Sequence, residues 1–187
     1  MILYLGIALG AVTVLWVGWN LTLDALWQPT DRVTVRRILH LARVKEGECV
    51  FDLGCGDGRI VVTAAREFNA HATGIEIDPA RVLWARAWTL LAGVLPRTRI
   101  LWGNMYSADL SGADVVILFL SPTANYKLQE RLRRELKPGA RIVSYYHPMY
   151  GWEPEEIGVA KSGYLLYLYR VPKESGTGNA EWEKGGV

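Results

Sequence analysis

The sequence predicts an α/β domain on a mostly parallel sheet, carried behind one N-terminal transmembrane helix. Three observations predict it. Residues 2–23 contain no charged side chain, short apolar runs alternate with helical periodicity from residue 31 onward, and the first of those runs opens onto a cluster of glycines. At 187 residues and 20.9 kDa the chain suffices for one domain with a proper core and not for two ordinary ones. Half of the residues are hydrophobic and 21% are charged, which excludes a disordered chain.

At about 1.5 Å per residue, a helix over residues 2–23 spans roughly the 30 Å hydrocarbon core. No Lys or Arg precedes Arg32, which argues against the basic start of a cleaved signal peptide. Trp16, Trp19 and Trp27 fall toward the C-terminal end of this run, where amphipathic rings favour the headgroup layer. Arg32, Arg36, Arg37 and Arg43 follow it, so the positive-inside tendency places the domain in the cytoplasm. The expectation is a single-pass membrane protein with an anchor over residues 1–24, a domain over 25–172 and a disordered tail over 173–187, polar and with Gly at 176, 178, 185 and 186. Gly6 and Gly10 have small-xxx-small spacing, but one such pair does not fix an oligomeric state.

Within the domain, Asp31–Val44 reads as a helix with Thr30 or Asp31 as N-cap and Val35, Ile38, Leu39 and Ala42 on one face. Cys49–Leu53 is a strand, Arg59–Phe68 a helix, Thr73–Ile77 a strand, and Pro79–Ala92 a helix with Pro at its start. Arg99–Leu101, Asp114–Leu120 and Arg141–Tyr146 supply further strands, with a helix over Pro122–Leu136. Ile157–Ala160 and Tyr164–Val171, joined by Lys161-Ser162-Gly163, close the sheet as an antiparallel hairpin, seven strands in all.

The charge balance, Lys+Arg 21 against Asp+Glu 19, lacks the one-signed excess of a chain that neutralises phosphates, so nucleic acid is not an expected partner. Cys49 and Cys55 stand without a second Cys or His cluster, which excludes a disulfide scaffold and a zinc site and fits a reducing compartment. No metal is expected.

The chemistry concentrates at Asp52-Leu53-Gly54-Cys55-Gly56-Asp57-Gly58-Arg59, a strand running through glycines into a helix. Residues without Cβ permit tight turning and close backbone approach at the carboxyl end of a strand, where open α/β sheets bind ligands. A dinucleotide fingerprint requires Gly at position 59, where Arg59 stands. Asp52, two positions before the first glycine, suits a cationic amino group better than a pyrophosphate. Glu76 ends the next strand at the spacing, about 20 residues, at which a carboxylate meets ribose hydroxyls.

On these residues the chain resembles class I S-adenosylmethionine-dependent methyltransferases: Asp52 to Gly58 matches their first motif and Gly74-Ile75-Glu76-Ile77-Asp78 the second. Gln28-Pro29-Thr30, Gly103-Asn104, Leu136-Lys137-Pro138-Gly139 with Ser144, and Gly151-Trp152 with Pro154 narrow it to the small archaeal protein-lysine methyltransferase and its membrane-anchored mitochondrial relatives. The resemblance covers residues 27–171 and implies a Rossmann-like seven-stranded sheet. It implies S-adenosylmethionine as cofactor, with Asp52, Gly54, Cys55, Gly56 and Gly58 at the methionine part and Glu76 and Ile77 at ribose. Asn104 and Met105 would lie beside adenine, and Pro29 and Thr30 in a loop that closes over the cofactor. It implies a lysine-bearing protein as partner, with membrane proteins favoured by the anchor. Trp27, Asp31 and Tyr145-Tyr146-His147 depart from the family pattern at positions that bear on the acceptor.

Methyl transfer from a sulfonium needs a neutral nucleophile and alignment, without metal or covalent intermediate. A lysine acceptor, ordinarily titrating near 10.4, must lose about 3 units or be captured in its rare neutral form. Tyr145, Tyr146 and Trp152 are candidates for an aromatic channel that favours that form, and Asn125 for a group that orients the amine. Tyr145 and Tyr146 read equally well as residues packed on opposite faces of a strand. A small or lipophilic acceptor, or a cofactor-binding module without catalysis, are the alternatives.

Overall fold

A computed structural model describes residues 28–172, together with Met1, Tyr4, Gly6, Gly10, Val14 and Gly18. Apart from those six positions, the expected anchor over residues 1–24 and the expected tail over 173–187 lie outside the described residues. Among the described residues no helix is long and apolar enough to cross a membrane.

Seven strands form one sheet: β1 (Cys49–Leu53), β2 (His71–Glu76), β3 (Thr98–Trp102), β4 (Val115–Leu118), β5 (Arg141–Tyr145), β6 (Glu156–Val159) and β7 (Leu165–Arg170). Their order is β3-β2-β1-β4-β5-β7-β6. The first five pair in parallel, while β7 runs antiparallel to both β5 and β6, as the closing hairpin requires. The helices are α1 (Arg32–Leu41), α2 (Arg59–Glu67), α3 (Pro79–Leu91) and α4 (Pro122–Glu135), with a 3₁₀ turn at Leu95–Arg97 that the periodicity did not register.

Strand alternation sorts the core into two layers. Val50, Ala72, Ile100, Val115, Ile117 and Val143 face α1, α2 and α3, whereas Leu53, Val116, Leu118 and Ile142 face α4. Near-continuous apolar runs such as Val115–Leu118, buried at every position, are what a parallel strand covered on both faces demands.

The element ends depart from the sequence reading where side chains, not periodicity, set them. Asp31 caps α1, accepting from the amides of Val33 and Thr34, so the helix starts one residue later than expected. It also stops earlier, at Leu41, because buried Arg141 donates 2.8 Å hydrogen bonds from Nη1 to the carbonyls of Ala42 and Arg43 and pairs through Nη2 with Glu48. Strand β4 ends at Leu118 rather than Leu120, which releases Phe119 and Leu120 from the ladder. Strand β5 ends at Tyr145 because Tyr146 takes a left-handed backbone, φ +73°.

Candidate functional site

The strand order reverses between β1 and β4: β1, β2 and β3 build outward one way and β4, β5 the other. That switch point opens a crevice beyond the carboxyl ends of the strands. The structure has a cleft of about 430 Å³ there, reached by the segments that follow β1 (Gly54–Asp57), β2 (Ile77), β3 (Gly103–Tyr106) and β4 (Phe119, Leu120).

The glycine turn is shaped by its neighbours. The amides of Gly54 and Cys55 both donate to the carbonyl of Ile75, at 2.9 and 3.0 Å, and Gly58 N–H donates to the carbonyl of Cys55. Gly54 and Gly58 have φ of +79° and +80°, and a Cβ on Gly58 would lie 3.0 Å from the Cβ of Ala85 on α3. Gly74, on β2, is required for space: a Cβ there would stand 2.6 Å from Cys55 Sγ.

Glu76 is fixed by three backbone donors. Its Oε2 accepts from Gly56 at 2.8 Å, and its Oε1 from Ile77 and Asp78 at 3.0 and 2.9 Å. One carboxylate thus ties the turn after β1 to the end of β2 and still lines the cleft. Asp52 sits behind the turn, buried, and no hydrogen bond from the described residues reaches its carboxyl. Burial, with the charges of Glu76 and Asp57 added, pushes it up to about 8. The Cys55 thiol is likewise pushed up, by burial first and then by Asp52, Glu76 and Asp57. The buried Asp52 carboxyl, which accepts no hydrogen bond from the described residues, favours a ligand that brings positive charge, although the cleft itself carries Asp57 and Glu76 beside Arg59, Arg81 and Lys127. An ammonium or sulfonium group answers that need, so the residues present fit the donor that the family resemblance implies.

Arg59 closes the other side. Its guanidinium holds Asp57, with Nε 2.9 Å from Oδ1, and its Nη1 donates to the carbonyl of Thr30. The segment Gln28-Pro29-Thr30 is thereby pinned across the glycine turn, with Thr30 buried and all three residues lining the cleft. Sequence reading took Arg59 only as the residue that rules out a dinucleotide fingerprint. Its tether to Thr30 spans 29 positions, and no local signal carries such a contact.

The expected cofactor residues Pro29, Thr30, Gly54, Cys55, Gly56, Glu76, Ile77, Asn104 and Met105 line one cleft. Asp52 and Gly58 lie outside its wall. Asn104 stands exposed at the lip, its Oδ1 accepting from the Tyr106 amide at 2.9 Å. Sequence reading missed Arg81, Tyr106, Phe119 and Lys127, which also line it, with the Lys127 ammonium 5.7 Å from the Tyr106 ring centroid.

The acceptor-side candidates sit off the cleft wall. Tyr145 is buried against Phe119, ring centroids 4.3 Å apart, with its hydroxyl 3.0 Å from Ser162 Oγ. Tyr146 turns outward, its ring 4.2 Å from those of His147 and Tyr164. Burial draws the His147 imidazole below its ordinary value. Asn125 is buried, with Nδ2 donating to Ser144 Oγ at 3.1 Å and to the His147 carbonyl at 3.0 Å, while its Oδ1 has no partner among the described residues. Trp152 is buried, with the Arg133 guanidinium over its ring at 5.0 Å. Among the described residues no group of three or more His, Cys, Asp or Glu side chains could hold a metal ion.

The ANTKMT methyltransferase domain model matches residues 52–156. A protein-lysine N-methyltransferase of Saccharolobus islandicus is 43% identical over 147 residues, covering 76% of this chain and 91% of that protein. An adenine nucleotide translocase lysine N-methyltransferase of Mus musculus is 35% identical over 120 residues, 64% of this chain; the chain spans only 52% of that relative's length. Among solved structures, an RNA methyltransferase of Salinibacter ruber in complex with S-adenosyl-L-homocysteine superposes with a TM-score of 0.76 at 41% identity, covering 79% of this chain and 95% of that one. The chain therefore belongs to the ANTKMT methyltransferase domain family and is an S-adenosylmethionine-dependent methyltransferase.

Proposed function

We propose that this enzyme transfers methyl groups to lysine side chains of proteins, working at a membrane with its catalytic domain on the cytoplasmic side. One observation carries the lysine assignment: the archaeal protein-lysine N-methyltransferase matches at 43% identity over 91% of its own length. The Salinibacter ruber structure, of nearly equal identity, bears the name of an RNA methyltransferase, but the charge of this chain speaks against a nucleic-acid acceptor. A net charge of +2, with 21 basic against 19 acidic residues, lacks the excess that binding a polyphosphate backbone exploits.

When bound, the donor supplies an electrophilic methyl group on a cationic sulfur. The chain's part is to hold that cation with Glu76 in the cleft wall and Asp52 buried behind the glycine turn, to close Pro29 and Thr30 over it through Arg59, and to bring a neutral amine into line. The ring of Phe119, at the end of the cleft that follows β4 and backed by Tyr145, offers an apolar approach that disfavours a charged ammonium. Tyr146, Trp152 and Asn125 are proposed to shape the surroundings of that approach. The membrane assignment rests on the uncharged run over residues 2–23 and the basic residues after it.

The test is transfer of radiolabel from S-adenosylmethionine to a membrane fraction. Label on protein lysine, lost in Gly54→Arg, supports the reading. Label in RNA, lipid or a small molecule, or donor binding without any labelled acceptor, overturns it.

A further inference from the structure

Helix α3 presents an apolar face to solvent. Val82, Ala85 and Thr89 are buried at the spacing of a core stripe. Opposite them, Leu83, Trp84, Leu90 and Leu91 are 67%, 66%, 61% and 85% exposed. A surface helix ordinarily carries charged and polar residues at such positions. The charges nearby are of one sign. From Pro79 to Ala108 there is no Asp or Glu, and the charged residues are Arg81, Arg86, Arg97 and Arg99, of which Arg86, Arg97 and Arg99 are exposed. Leucine and tryptophan on one face, in a stretch whose charged residues are all basic, is the make-up of a helix lying in the headgroup layer of an anionic bilayer.

The path of the chain brings such a surface within reach. Gln28, Pro29 and Thr30 line the same cleft as Ile77 and Arg81, so the polypeptide enters the domain beside the first turn of α3. Asp24 to Trp27 are all that separate Gln28 from Leu23, the last residue of the uncharged run, a span of at most about 18 Å when fully extended.

We propose that the exposed stripe of α3 is a membrane-docking surface that seats Leu83, Trp84, Leu90 and Leu91 in the headgroup layer of an anionic bilayer. The inference rests on reading residues 2–23 as an anchor. It adds a second, peripheral contact that fixes how the cleft faces the membrane.

The experiment uses the full chain in vesicles of phosphatidylcholine and phosphatidylglycerol with brominated acyl chains, which quench indoles at the lipid surface. Trp84→Phe is expected to lower the quenched share of tryptophan emission relative to the unaltered chain, with binding of S-adenosylhomocysteine unchanged. An unchanged quenched share overturns the proposal, as does a doubling of mass with protein concentration that Leu91→Glu abolishes, because the stripe then serves a second copy of the chain. Alkaline extraction of the same vesicles reads the anchor separately. A chain that resists extraction yet shows no Trp84 signal keeps the anchor and loses the α3 contact; one that washes off after giving the Trp84 signal keeps the contact and loses the anchor.

Discussion

Asp52 is the residue on which the electrostatics of the cleft turn. A carboxyl that ordinarily titrates at 3.8 and is raised to about 8 keeps its proton in the folded chain across a window where the unfolded chain has lost it. The unfolded state then binds fewer protons, so the stability of the donor-free protein falls as pH climbs from about 4 to about 8. A ligand ammonium group beside Asp52, which S-adenosylhomocysteine keeps although it lacks the sulfonium charge, favours the ionised form. Binding of S-adenosylhomocysteine is therefore expected to expel a proton below pH about 8 and to tighten with rising pH, by up to about tenfold per unit. Calorimetry in two buffers of unlike ionisation enthalpy reads the proton, and Asp52→Asn should abolish its release. That an acid stands at the glycine turn was legible from the sequence, but not that Asp52 would lie buried outside the cleft wall. Its upward shift was not legible either, because that depends first on burial in the packed core and then on Glu76 and Asp57, 24 and 5 positions away.

At the scale of elements, Arg59 joins three of them: it opens α2, pairs with the glycine turn through Asp57, and holds the segment before α1 through the Thr30 carbonyl. Charge-assisted hydrogen bonds of this kind contribute about 1.5–3 kcal/mol. Discounting for the quarter of the side chain that is exposed, Arg59→Ala is expected to weaken S-adenosylhomocysteine binding by about tenfold, roughly 1.4 kcal/mol. A binding isotherm checks it, and an unchanged affinity would show that the closing segment needs no tether. The strands and helices were readable from periodicity and caps, as Asp31 shows by accepting from the first amides of α1, while the same role of Asp78 and Ser121 at α3 and α4 went unread. The ends of these elements were not readable where Arg141 stops α1 from across the fold or the backbone of Tyr146 ends β5.

For the whole molecule, the cleft is assembled from segments that follow four different strands and from the stretch that precedes α1, so ligand and fold are coupled. S-adenosylhomocysteine at about 100 times its Kd is expected to add about 2.7 kcal/mol of stability. For a chain of this size that is a rise of roughly 5–11 °C in melting temperature, read by calorimetry or fluorescence. A rise of the same size in Gly54→Arg would mean that the ligand binds elsewhere.

By itself the sequence determined the α/β class, the hairpin that closes the sheet, the glycine turn and the placing of Asp52 and Glu76 on two neighbouring strands. All of these are written in local patterns: alternation, caps, turn residues and the spacing from one strand end to the next. Only the tertiary structure decided the strand order that opens the cleft between β1 and β4, the clasp from Arg59 to Thr30, the release of Phe119 from β4 into the cleft, and the apolar face that α3 turns to solvent. Each of these depends on which distant residues meet when the core closes, and burial, unlike periodicity, is a property of the packed whole.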